Sequence, residues 1–143
     1  MARGQGSPGR RGPGPLLSQA RVVHVHHLQQ ARAVLDQAGL HGWDVMLVTA
    51  PDMAAFAGTG FWHAVETALA QPVVINCGDD AGLAMAALRQ GSRELLFSGP
   101  EDVAAKLDSM AGQLGGRVHR DLGGEVIALL PEDDPADVLA ARE

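Results

Sequence analysis

Cysteine is almost missing from this chain of 143 residues: Cys77 is the only one, so no intramolecular disulfide can form. That excludes a small fold stapled by disulfides and makes a reducing, cytoplasmic compartment the expected location. Aromatic residues make up only 3% of the chain, so the interior has to be built from Val, Leu, Ile, Met and Ala. No uninterrupted apolar run approaches the roughly 18 residues of a membrane span. The N-terminus also lacks the apolar stretch of a secretory signal, so a soluble protein without a membrane partner is expected. Basic residues are in deficit, with 11 Lys and Arg against 17 Asp and Glu and a formal net charge of −6. Apart from Arg3, Arg10 and Arg11 there is no basic surface to release counterions from a polyanion, which argues against a nucleic-acid partner.

Apolar residues account for 46% of the sequence. A chain of this length buries about two thirds of its unfolded surface, the usual situation for one domain. Residues 1–15 contain five glycines, three prolines and three arginines, too little hydrophobic content to offset the entropy of ordering. Residues 1–20 are therefore expected to be a disordered tail and residues 21–143 a single α/β domain.

From Arg21 onward, strand-like and helix-like patterns alternate. Val22 to His26 is rich in β-branched residues, after which Leu28, Ala31, Val34 and Leu35 recur at helical spacing up to Gly39. Asp44 to Thr49 forms a second apolar run, and a helix is expected from about Phe61 to Ala70. Pro72 to Asn76 reads as a buried strand closed by Gly78, and Leu83, Ala84, Ala87 and Leu88 line a helix ending before Gly91. Glu94 to Phe97 is the fourth strand, and Pro100 suits the first position of a helix reaching Leu114. Arg117 to Leu122 and Glu125 to Leu130 are two further β-rich runs before a short helix from about Pro135. Such alternation implies a mainly parallel sheet, either part of a (β/α) barrel or an open, flavodoxin-like sheet.

Within this frame, Thr49-Ala50-Pro51 leads to Ala54-Ala55-Phe56-Ala57-Gly58, then a helix, then Pro72-Val73-Val74-Ile75-Asn76-Cys77-Gly78. The order resembles class II fructose-bisphosphate aldolases, in which a strand leads into an Ala-Lys-Tyr-Ala-Gly type loop, a helix and a strand ending His-Leu-Asp-His-Gly. Val23 to Leu28 is similar to a strand-one word of these enzymes. Asp79 to Gly91, Glu94 to Gly99 and Val118 to Gly123 are similar to the helix and strands that follow. The resemblance implies a half-TIM-barrel-like domain. It also implies what is missing, since the family's catalytic Asp falls at Asn76, its zinc-binding His at Cys77 and its strand-five Glu at Asp121. An amide cannot replace a carboxylate in proton transfer, and strands six to eight have no counterpart, so class II aldolase activity is not expected.

In either architecture ligands bind beside the carboxyl ends of the strands. That rim would gather His24, His26, His27, Thr49, Asn76, Cys77, Ser98, His119 and Asp121 as a candidate pocket. Cys77, His119 and Asp121 are chemically suitable for zinc, which supports a metal-dependent aldolase-like lyase as the alternative reading, although hydrogen-bonded or solvent-facing histidines explain the same residues. Gly58-Thr59-Gly60 and Gly78-Asp79-Asp80 precede helices, where backbone N–H groups can meet the anion of a small phosphorylated metabolite. Asp79 and Asp80 also suit a helix cap. Phe61, Trp62 and Val65 fit core packing or a partner stripe, and Glu132-Asp133-Asp134 a solvated turn. The favoured reading is a non-catalytic small-ligand-binding or protein-interaction role with no cofactor. Half a barrel would leave open edges and an apolar inner face, so a homo-oligomer is expected, with a dimer as its simplest closed form.

Overall fold

The computed structural model describes residues 20–123 and 125–140. The tail expected over residues 1–20 lies outside them except for Ala20, which is buried. The elements are β1 (Arg21–Val25), α1 (Leu28–His41), β2 (Val45–Thr49), α2 (Met53–Ala57), α3 (Thr59–Leu69), β3 (Ile75–Asn76), α4 (Ala81–Gln90), β4 (Glu94–Leu96), α5 (Glu101–Gln113), β5 (Arg117–His119), β6 (Val126–Ala128) and α6 (Pro135–Ala140). The fold is thus α/β, with strands and helices alternating as the sequence pattern requires.

All strand pairs are parallel, in one sheet of order β2-β1-β6 and another of order β3-β4-β5. An isolated bridge between Val48 and Val74 joins them. There Val74 N–H donates to the Leu47 carbonyl at 2.8 Å and Thr49 N–H to the Val74 carbonyl at 2.9 Å. The strands therefore follow the order β6-β1-β2-β3-β4-β5, which differs from the 2-1-3-4-5 order of a flavodoxin-like sheet.

The pleat sorts side chains to two faces, because alternate residues of a strand point to opposite sides. Val23, Val25, Leu47, Ile75, Leu95 and Ile127 join the helix residues Ala31, Val34, Trp62, Ala87, Leu107 and Leu139 in the main core. Val22, Val48 and Val74 form a second cluster with Met46, Leu96 and Leu122, to which no helix contributes. The helices thus cover one face of the sheet, and among the described residues the other face carries only its own side chains and Leu122.

Leu122 belongs to the short connection from β5 to β6, and that connection constrains the shape of the sheet. His119 and Val126, seven residues apart, can be separated by at most about 25 Å of extended chain. Five spacings of a flat sheet already need about 24 Å, and the chain must also return from the C-terminal end of one strand to the N-terminal end of the other. The sheet has to curl so that β5 and β6 approach one another across the helix-free face, over which Leu122 passes.

Local differences from the sequence pattern have identifiable causes. Helix α1 runs past Gly39 because Gly42 is the residue that takes the left-handed conformation, at φ 69°, and its N–H donates to the Ala38 carbonyl. The stretch before the expected helix at Phe61 is itself helical, as α2, and Gly58 at φ 94° separates it from α3. Trp62 is fully buried, and its indole N–H donates to the Met53 carbonyl at 3.1 Å, tying the two helices together. Val65 is buried as well, while Phe61 is partly exposed, edge-on to Trp62. Strand β3 is shorter than Pro72 to Asn76 because Val73 N–H donates to Glu66 Oε2 at 3.0 Å instead of to a strand. Strand β5 stops at His119, and Asp121 then accepts from Gly123 N–H at 2.9 Å to form a turn.

Candidate functional site

The nine residues expected at one rim fall into separate environments. His27 caps α1: its Nδ1 accepts from Gln30 N–H at 3.1 Å, and its Nε2 faces the Pro131 carbonyl at 3.2 Å. These two contacts together require the proton on Nε2. His26 donates its backbone N–H to Gln30 Oε1 at 2.8 Å, while its Nδ1 is buried without a hydrogen-bond partner among the described residues. Burial, followed by the charge of neighbouring His27, holds the His26 imidazole below its ordinary range, partly opposed by Glu132 and Asp133. Gln30 is buried, and its Nε2 donates to the carbonyls of Leu130 and Asp133 at 2.9 and 3.2 Å. His27 and Gln30 therefore tie the start of α1 to the chain around Leu130–Asp133.

Thr49 is fully buried, and its hydroxyl accepts from Asn76 N–H at 2.9 Å, helping to hold β3 beside β2. Cys77 turns into the main core, where its thiol donates to the Ile75 carbonyl at 3.4 Å. Burial and then the Asp80 carboxylate push this thiol up to about 12, so it is protonated and not an activated nucleophile near neutral pH. His119 Nε2 lies 2.7 Å from Glu94 Oε1, and Arg117 Nε lies 3.4 Å from the same oxygen. Among the described residues no group of three or more His, Cys, Asp or Glu is placed to hold a metal ion. Cys77, His119 and Asp121 are therefore not gathered into the zinc site considered from the sequence, because the Cys77 thiol turns into the main core while Asp121 folds back onto Gly123 N–H beside the helix-free face.

The other four residues meet. His24 of β1, Asn76 from the end of β3, Ser98 just beyond β4 and Asp121 of the β5–β6 connection line one cavity of about 390 Å³ on the helix-free side of the sheet. Val22, Leu96, Leu122 and Val126 supply its apolar lining. Burial holds the His24 imidazole below its ordinary range, which favours a neutral donor and acceptor near pH 7. Asn76 Oδ1 accepts from Gly78 N–H at 3.1 Å, which leaves the side-chain NH2 as a donor. Gly78 is required in this turn. It sits at φ 57°, and its carbonyl accepts from Ser98 N–H at 2.7 Å, joining the ends of β3 and β4.

Asn76 and Ser98 also line a second cavity of about 460 Å³, together with Asp52, Cys77, Asp79 and Asp80. Here the Asp80 carboxylate caps α4 by accepting from Leu83 N–H at 3.0 Å. The helix end considered for a phosphate thus already faces a carboxylate, with Asp79 and Asp52 beside it. This end disfavours an anion.

Arg120 was not among the expected residues, yet it lines the first cavity. Its NH1 donates to the Phe97 carbonyl at 3.0 Å and its NH2 to the Gly99 carbonyl at 2.6 Å. The guanidinium carbon lies 5.7 Å from the Phe97 ring centroid, within cation–π range. Gly99 makes this geometry possible, since a Cβ there would run into the Phe97 ring. The available signal was an arginine directly following a strand in a chain poor in basic residues. Comparison of the chain with protein-family models, curated proteins and solved structures found no match to any of them.

Proposed function

We propose that the protein is a small-molecule-binding domain whose ligand occupies the cavity between His24, Asn76, Ser98, Arg120 and Asp121. One observation carries this reading: polar residues from two strands and from the connections after β4 and β5, far apart in the sequence, surround one cavity with an apolar lining on the face that no helix covers among the described residues. A volume of about 390 Å³ falls within the range of small-ligand sites. No reaction is assigned to it. Cleavage of fructose 1,6-bisphosphate is not expected even with added zinc, because Asn76 offers an amide where proton transfer needs a carboxylate.

The run of β1 to β5 in sequence order, with β6 added beside β1, and the one-sided helices support a half-barrel-like sheet whose β1 to β5 are similar to the first part of a class II aldolase barrel. In this reading β5 and β6 are open edges, and Val126 is 52% exposed, so a homodimer is the proposed assembly. The buried thiol of Cys77 suits a reducing compartment, and the cytoplasm is the proposed location.

A fragment library screened by amide NMR on the full chain tests the binding reading. Hits should shift the amides of residues 22–24, 76, 96–98 and 120–123 together. Shifts confined to other regions, or none at millimolar fragment, would exclude this cavity as a binding site.

A further inference from the structure

We infer that the ligand of this cavity is a small amphipathic anion, a single carboxylate or phosphate head on a short apolar body, with Arg120 binding the head. The inference rests on the proposed binding role and adds to it the ligand's charge and orientation.

Arg120 is a cation fixed in place without a counter-ion. Its guanidinium is oriented by two backbone carbonyls and the Phe97 ring, and among the described residues no carboxylate forms an ion pair with it. Asp121 is next to it in sequence, but its carboxylate accepts from Gly123 N–H. Two of the five guanidinium N–H groups are engaged, so the planar fork retains donors for an oxyanion. Because the side chain is already ordered, an anion meeting it costs less rotamer entropy than one meeting a free surface arginine. The Asn76 amide and the Ser98 hydroxyl supply neutral donors in the same cavity.

The surroundings decide the orientation. The adjoining cavity carries Asp52, Asp79 and Asp80, which repel an anion and direct the head to the Arg120 end. Val22, Leu96, Leu122 and Val126 offer no hydrogen bonds and suit hydrocarbon.

Three probes of one chain length test this on the full chain by amide NMR titration: hexanoate, hexyl phosphate and the uncharged hexanamide. Wild-type protein should bind at least one of the anions about tenfold more tightly than the amide, with shifts at Leu96, Ser98 and Leu122; which anion leads distinguishes a carboxylate from a phosphate ligand. Arg120→Gln should abolish that advantage by bringing both anions to about the affinity of hexanamide in the same variant, and Arg120→Lys should retain part of it, since lysine keeps the charge but not the fork. Asp121→Asn keeps an oxygen for the Gly123 turn and should tighten the anions several-fold relative to the amide, a readout that does not depend on the Arg120 variants folding. Hexanamide binding as tightly as both anions, or an anion preference that survives in Arg120→Gln, would overturn the anion assignment and leave the binding role standing. Absence of binding by all three probes would overturn the assignment as well, and the fragment screen then decides the binding role separately.

Discussion

His119 and Glu94 face each other across neighbouring strands with 2.7 Å between Nε2 and Oε1, a contact that fixes the orientation of the imidazole. The two side chains are partly buried, so their hydrogen bond is better shielded from water than one on the open surface. A double-mutant cycle with Glu94→Gln and His119→Gln, followed by urea unfolding, should give a coupling of about 0.5–1 kcal/mol. A coupling of zero would mean that the contact does not contribute to stability.

Cys77 should resist modification in the folded protein. Its thiol is pushed up to about 12 from an ordinary 9.0, so folding favours the protonated form. That contribution is fully present below pH 9 and is lost as pH rises toward 12. Ellman's reagent at pH 8 should react slowly with native protein and rapidly in denaturing urea. Rapid reaction of the native state would contradict the burial of this thiol.

At the acid end, the imidazoles of His24 and His26 are held below 6.5 by burial, so the unfolded chain binds protons that the folded one does not. Their contribution is present above pH 6.5 and is lost as pH falls through the lowered folded values. The urea midpoint should drop between pH 7.5 and pH 5.5, and the His24→Gln, His26→Gln double variant should show a smaller drop. An unchanged slope in that variant would assign the acid sensitivity to other groups.

Gln30 is a polar residue in an apolar setting, and its single amide serves three backbone groups, His26 N–H and the carbonyls of Leu130 and Asp133. Gln30→Leu leaves these groups without their partner and should destabilise by about 2–4 kcal/mol. Thermal melting should register this as a clear fall. A loss under about 0.5 kcal/mol would show that water replaces the amide.

Self-association follows from the open edges proposed for β5 and β6. Light scattering across a range of concentrations should give the mass of a dimer, and a charged substitution such as Val126→Lys on the edge strand should shift it toward the monomer. A concentration-independent monomer would remove the dimer from the reading.

The sequence made the alternation of strands and helices legible because Val22, Val23 and Val25, or Leu83, Ala87 and Leu88, carry strand or helix periodicity in their own spacing. Asp80 was also readable as a cap. Four candidate site residues, His24, Asn76, Ser98 and Asp121, do meet, since each lies at or just beyond the carboxyl end of a strand. Cys77 and His119 were equally well placed by that criterion and are absent from the first cavity's lining. The side to which Cys77 turns depends on the pleat after Ile75, and the engagement of His119 depends on β4 pairing with β5 in the register that sets Leu96 beside His119. Neither is a local property. Arg120 was missed for a similar reason, as its role arises from the carbonyls of Phe97 and Gly99, more than twenty positions earlier.

The pairing of β6 with β1, Val22 against Val126, joins positions 104 residues apart. During synthesis on the ribosome β1 emerges well before β6, so one of its edges stays unpaired until the 104 residues from Val22 to Val126 have been made. Contacts of such sequence separation form slowly, and an exposed parallel edge is open to wrong partners in the meantime. A strand made early is thus completed late, and a chain stalled or cut before residue 126 would present β1 as a sticky edge to whatever binds nascent polypeptides.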